Sequence, residues 1–258
     1  MDLKISGQRF LVCGASSGFG CAIARQLLQE NASLILTARR ESLLKEKFSS
    51  YGDRVEILAG DLTNEDLLTK IEKSSIAGPL HGILINAGGP PAGTPLETTM
   101  NQWDDAYQLV MRWKIDLVLH LAPVLAEQGY GRILFIESKS VKQPIPELVL
   151  SNAFRAGVAG FAKSLATELA GKGITVNILA PGAHDTPAIE RVIKKRSESA
   201  GISYEQAKEE MEQSIPIGRM GSANELASLA VWLLSPRSGY VTGQTISHDG
   251  GSVAGLFG

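Results

Sequence analysis

The chain has 258 residues, 44% of them hydrophobic, with 27 glycines, 11 prolines and a net charge of -2. That is enough for one large α/β domain or two small ones, and the composition is that of an ordinary enzyme-sized globular protein. A pI near 6.1 gives no electrostatic footing for nucleic acid, and no apolar run reaches the roughly 18–20 residues of a membrane span. Residues 1–7 are too short and polar before the first strand to read as a signal peptide.

Short apolar, β-branched runs alternate with longer helical segments along the chain. Strands are predicted at 9–14, 33–38, 54–59, 82–86, 131–136, 174–179 and 244–247. Helices are predicted at about 19–30, 41–49, 64–75, 101–128, 152–171 and 222–234. Runs such as Ile83-Leu84-Ile85 and Ile133-Leu134-Phe135-Ile136 are apolar without alternation. A strand buried on both faces reads this way, which favours a parallel sheet covered by helices. Strand–helix alternation with right-handed crossovers makes the sheet doubly wound. No repeat, low-complexity segment or linker interrupts the pattern, so residues 1–258 read as one domain.

The stretch 186–216 is irregular and charged, with Arg191, Lys194, Lys195 and Arg196 followed by Glu205, Lys208, Glu209, Glu210 and Glu212. It follows a strand's C-terminal end, where ligands bind in doubly wound folds. It reads either as a helical flap over a ligand or as a solvated helix pair. Cys13 and Cys21 form no disulfide framework; they read as packed thiols in a reducing cytoplasm, with a redox pair as the alternative.

The first strand runs into Gly14-Ala15-Ser16-Ser17-Gly18-Phe19-Gly20 and then a helix. Glycines spaced G-x-x-x-G-x-G permit a tight turn and let backbone N–H groups approach a pyrophosphate at a helix N-terminus. The second strand ends Ala38-Arg39-Arg40, without the acidic residue that usually holds the ribose hydroxyls of NAD. A guanidinium there suits a 2′-phosphate, so NADP(H) is expected in preference to NAD(H). Asp61, before Leu62, either accepts the adenine amino proton or caps the helix starting near residue 64. Asn86-Ala87-Gly88 closes the fourth strand and lets the chain pass close to a cofactor.

Together with Ala180-Pro181-Gly182, Thr186, Gly218-Arg219-Met220-Gly221-Ser222-Ala223-Asn224-Glu225 and His248-Asp249-Gly250-Gly251, these motifs resemble the short-chain dehydrogenase/reductase family from Gly7 to Gly251. The tail motifs most resemble 3-oxoacyl-(acyl carrier protein) reductases. The resemblance implies a single Rossmann domain with a parallel seven-stranded sheet flanked by helices on both faces. It also implies a small carbonyl or alcohol substrate, and it places the Pro181-Gly182 loop and Thr186 by the nicotinamide carboxamide. Helices 101–128 and 152–171 would join subunits into a dimer or homotetramer. No nucleic acid, membrane or metal is expected, and the location is read as cytoplasmic.

The family's chemistry uses a serine, a tyrosine acid/base, a lysine that lowers the tyrosine's pKa and an asparagine that anchors a water chain. By resemblance these positions hold Ser138, Ser151, Arg155 and Val110. Only the serine is retained. An aliphatic hydroxyl is a far weaker acid than a phenol, and an arginine does not deprotonate. Arg155 could still donate to ribose hydroxyls. Lys139 and Lys142, just past Ser138, and His184, in the loop after the sixth strand, are candidate replacement donors. His81, His120 and His248 read as structural. Two functions follow: an NADP(H)-dependent oxidoreductase with a non-standard proton relay, or a dinucleotide-binding protein without turnover that acts as sensor, scaffold or partner subunit.

Overall fold

The computed structural model describes residues 1–256. Its strands are β1 (Arg9–Cys13), β2 (Ser33–Thr37), β3 (Val55–Ile57), β4 (Gly82–Ile85), β5 (Gly131–Ile136), β6 (Ile174–Pro181), β7 (His184–Asp185), β8 (Gly221–Ser222) and β9 (Thr245–His248). Its α-helices are α1 (Gly18–Gln29), α2 (Glu41–Phe48), α3 (Glu65–Ile76), α4 (Met100–Tyr107), α5 (Trp113–Gln128), α6 (Val149–Leu169), α7 (Pro187–Ala200), α8 (Tyr204–Gln213) and α9 (Ala223–Leu234). Seven strands form one sheet in the order β3-β2-β1-β4-β5-β6-β9, and every pairing is parallel.

Side chains alternate across that sheet with the strand period of two. Phe10, Val12, Leu84, Leu134 and Ile136 pack under α1, α2 and α9. Leu11, Cys13, Ile83, Ile85, Ile133 and Phe135 pack under α3, α5 and α6. Both faces are therefore dry, which is why the strands read as unbroken apolar runs. Gly82 lets β4 sit tightly between its neighbours: a Cβ there would fall 2.9 Å from the Phe10 ring and 3.0 Å from the Arg132 carbonyl.

Helix ends follow local chemistry. Capping boxes start α4 (Thr99 with Gln102), α8 (Ser203 with Gln206) and α9 (Ser222 with Glu225). Glycines in the left-handed region stop α5 (Gly129, φ 72°) and α7 (Gly201, φ 65°), where a Cβ would be strained. The helix expected over 101–128 is divided, with a π-helical turn at Gln108–Arg112 between α4 and α5. The helix expected from 152 begins at Val149. Within 186–216 lie α7 and α8, packed around Ile193, Ala207, Ile215 and Met220. A short parallel pair, β7 with β8, joins the two ends of this segment and was not visible as strand in the sequence.

Candidate active site

The strand order reverses between β1 and β4, so their C-terminal ends open a crevice at the switch point. The loop after β1 lies on one side. A Cβ on Gly20 would strike the Gly14 carbonyl oxygen and come 2.7 Å from its carbon, and one on Gly14 would come 2.7 Å from Asn86. The two glycines thus fold the loop onto itself and against the end of β4. Gly18 and Gly88 point into space, with nothing within 4 Å of Gly88 and only Thr186, at 3.9 Å, near Gly18. Thr186, ahead of α7, is thereby brought to the glycine loop. Phe19 meets the edge of His184 with ring centroids 5.1 Å apart.

Arg40 reaches from the end of β2 to the same loop, donating to Ser17 Oγ at 2.9 Å and Ser16 Oγ at 3.2 Å. Lys47 on α2 donates to the Ser16 carbonyl at 2.8 Å, a contribution the sequence reading missed. Arg39 is exposed and has no hydrogen-bond or ion-pair partner among the described residues. An open glycine turn at a helix N-terminus, with Arg40 and Lys47 bonded to it, suits the phosphates of a dinucleotide. Asp61 does not cap α3. Asn64 does, accepting from Asp66 N at 2.8 Å, while Asp61 accepts from Thr63 N and Oγ1 in a local turn. Pro181 ends β6, and Gly182 follows it, donating its N–H to the His248 carbonyl.

The candidate catalytic positions lie where β5 ends. Ser138 Oγ accepts from Ser140 N at 3.1 Å. The 3-10 turn Lys139–Val141, which carries candidate Lys139 and is followed by candidate Lys142, packs against α6. Ser151 and Arg155 lie one turn apart on the buried side of α6, and Arg155 Nε donates to Ser151 Oγ at 3.0 Å. Strand alternation sends Glu137 to the same side as Ile133 and Phe135. There its carboxylate accepts from Arg155 Nη1 at 2.8 Å and from Lys114 Nζ at 2.5 Å. The three side chains are 7%, 1% and 0% exposed for Arg155, Lys114 and Glu137.

Lys114 and Glu137 escaped the sequence reading, although a signal was present. Lys114 occupies the inward stripe of α5 with Leu117, Val118, Leu121 and Leu125. A lysine in such a stripe needs a buried counter-ion. Burial pulls its pKa down to about 8 from 10.5, with Arg155 pushing the same way and Glu137 opposing. Val110, at the position where the resemblance puts an asparagine, is fully buried in the π turn. The buried polar group of this helix therefore sits one helical turn later.

His184 departs from its candidate role. It is buried, its Nδ1 lies 3.2 Å from the Gly182 carbonyl, and its Nε2 lies 2.8 Å from His248 Nδ1. Both ring nitrogens are engaged within the protein, and burial lowers its pKa, so at neutral pH it is a neutral strut rather than an acid. No helix among the described residues is long and apolar enough to cross a membrane, and none of their acidic, histidine and cysteine side chains cluster as a metal site.

The family model described as Enoyl-(Acyl carrier protein) reductase matches residues 14–253. Nodulation protein G of Rhizobium sp. (strain N33) is 33% identical over 251 residues, 96% of this chain and 98% of that protein. A 3-oxoacyl-[acyl-carrier-protein] reductase of Thermotoga maritima is 30% identical over 97% of this chain and 100% of its own length. The crystal structure of L-sorbose reductase from Gluconobacter frateurii, complexed with NADPH and L-sorbose, superposes with a TM-score of 0.92 at 29% identity, covering 99% of this chain and all of that one.

Proposed function

Because the chain belongs to the short-chain dehydrogenase/reductase family of oxidoreductases, we propose that it reduces a carbonyl group with NADPH and steadies the product oxygen with two serine hydroxyls in place of a tyrosine acid. One observation carries this reading. The Ser138 oxygen already accepts from Ser140 N, and the Ser151 oxygen already accepts from Arg155 Nε. Neither hydroxyl donates to an acceptor among the described residues. Each is left with one O–H to give.

When bound, the dinucleotide would supply a hydride with its electron pair to the carbonyl carbon. Negative charge then grows on the carbonyl oxygen. Two preset O–H donors oppose that charge, as an oxyanion hole does, and the Arg155 guanidinium behind Ser151 strengthens its donor. The completing proton is drawn from solvent at the partly exposed Ser138. Gly14, Ser16, Ser17, Gly18, Phe19 and Gly20 would hold the pyrophosphate side, and Arg39, Arg40 and Lys47 the 2′-phosphate. Asp61, Leu62, Asn86, Ala87, Gly88, Pro181, Gly182 and Thr186 would line the adenine and nicotinamide sides. The α7–α8 segment, held at its base by the β7–β8 pair, serves as the flap. A homo-oligomer is supported by the exposed Leu119 on α5 and by Ala153, Ala156 and Gly160 on the open side of α6.

Single-turnover oxidation of NADPH against a panel of ketones and 3-oxoacyl thioesters tests the activity. Ser138→Ala and Ser151→Ala are each expected to lower the rate about 10²–10³-fold, the size of losing one oxyanion donor, with NADPH binding retained. Turnover indifferent to both changes would exclude the two-serine scheme. The competing reading, a dinucleotide-binding protein without turnover, draws on the serine and arginine at positions 151 and 155. NADPH binding with no carbonyl reduced would favour it. For the cofactor, Arg40→Ala should weaken NADPH by roughly 10- to 100-fold, as expected for lost charged hydrogen bonds, and leave NADH little changed in calorimetric titration. Equal losses for both dinucleotides would remove the 2′-phosphate assignment.

A further inference from the structure

The buried charges behind Ser151 outnumber what a hydroxyl needs for support. Two cations, Lys114 and Arg155, share one carboxylate, Glu137, in a place almost without solvent. Such a cluster is weak evidence for stability, since well-packed apolar residues of equal volume often do as well. Its geometry instead points at the reacting end of the molecule. Lys114 holds one carboxylate oxygen and Arg155 Nη1 the other, leaving Arg155 Nε aimed at Ser151 Oγ. The other terminal nitrogen, Nη2, faces the loop after β4, where a Cβ on Gly89 would come within 3.5 Å.

We infer that Lys114 and Glu137 are positioning residues for the Ser151 hydroxyl, the ammonium form of Lys114 fixing Glu137 and through it the Arg155 guanidinium, an inference that rests on the reductase reading above. With Lys114 charged, the cluster carries one net positive charge behind Ser151. That charge favours the oxyanion as hydride arrives. When Lys114 sheds its proton the net charge falls to zero, and one carboxylate oxygen loses its charged donor. Lys114 never passes its proton to the substrate, because Arg155 stands between them and does not deprotonate.

The groups that face Lys114 come from three elements besides its own. Glu137 at the end of β5 favours the charged form and Arg155 on α6 disfavours it, while Cys13 at the end of β1 also faces the ammonium. The Cys13 thiol is pushed up to about 12 by burial and stays neutral at physiological pH. The Trp113 ring, with Lys114 Nζ 5.9 Å from its centroid, adds a weak attraction. Burial is the largest influence and brings the titration to about pH 8, within reach of an assay.

Two measurements separate this inference from the activity itself. The first is heteronuclear NMR of the Arg155 Nε–H, assigned by its loss in Arg155→Lys and followed with pH on the intact chain. The signal is expected to move with a midpoint near 8, to lose that movement in Lys114→Met, and to stay flat in Lys114→Arg, which keeps its charge throughout. A flat response in the unaltered protein overturns the inference, and so does an unchanged midpoint in Lys114→Arg, the variant that keeps the charge and the fold if Lys114→Met does not. The second is the pH profile of carbonyl reduction. Turnover should decline as pH passes the same midpoint, and Lys114→Arg should retain activity and lose that decline. Lys114→Met should lower kcat by roughly 10-fold or more, less than losing an oxyanion donor outright, with KM for NADPH little changed. A decline that persists unaltered in Lys114→Arg overturns the assignment. If the Arg155 signal titrates as expected and no carbonyl is reduced, the positioning network stands and the reductase reading fails.

Discussion

Glu137→Gln is expected to lower the unfolding free energy by about 3–5 kcal/mol near neutral pH, the range for breaking a buried ion pair by removing one partner. The carboxylate is fully buried and is the shared counter-ion of Lys114 and Arg155. A glutamine keeps the shape and loses the charge. Its oxygen can accept from one cation, while its NH₂ faces the other cation's donors. Two buried positive charges then remain within one cluster.

The deficit carries a pH signature. Lys114 titrates at about 8 in the folded protein against 10.5 for a free lysine. Between those values the unfolded chain binds more protons than the folded one, so stability rises with pH across that window. Without Glu137, the interaction opposing burial is gone, and the lower edge of the window moves below 8. Denaturant unfolding of both proteins at about pH 6 and about pH 9 should therefore show the larger deficit at the acid end. A deficit under about 1 kcal/mol, or one that grows toward alkaline pH, would mean that the cluster is not held as described.

Gly20→Ala is expected to weaken NADPH binding by about 100-fold or more, since two displaced charge-assisted hydrogen bonds at 1.5–3 kcal/mol each are enough for that. The added methyl would meet the Gly14 carbonyl oxygen and lie 2.7 Å from its carbon and 3.0 Å from the Cys13 carbonyl oxygen. These are backbone atoms at the end of a central strand, paired on both sides to β2 and β4, and they cannot rotate away. The loop must open instead, which carries the amides at the start of α1 out of register with a bound phosphate. Fluorescence titration with NADPH, beside a thermal melt to show that the chain still folds, measures the effect. Affinity unchanged in a folded variant would mean that this loop does not carry the phosphates.

The glycine turn was legible for a local reason. Gly14, Gly18, Gly20 and Arg40 lie within a single strand–turn–helix–strand unit, where spacing along the chain is close to spacing in the fold. The sheet was legible because runs buried on both faces lose all polar alternation. Local rules failed at the π turn of 108–112, which leaves the helical pattern of 101–128 intact while shifting its face. They failed again at β7 and β8, which are two residues each and pair across the whole α7–α8 segment.

By itself, the sequence determined the parallel doubly wound sheet, the glycine turn after β1 with the arginines after β2, and the serine and arginine at 151 and 155 where the family resemblance expects tyrosine and lysine. Tertiary structure decided what surrounds that replacement. Glu137 stands 23 residues from Lys114 and 18 from Arg155, and His184 stands 64 from His248. No periodicity within one element joins residues so far apart. They meet because strand parity turns Glu137 toward the α5–α6 layer and helical period turns Lys114, Ser151 and Arg155 inward. In that dry layer a charge is tolerated only beside its opposite. The physics that assembles the core thus also places the guanidinium behind the Ser151 hydroxyl.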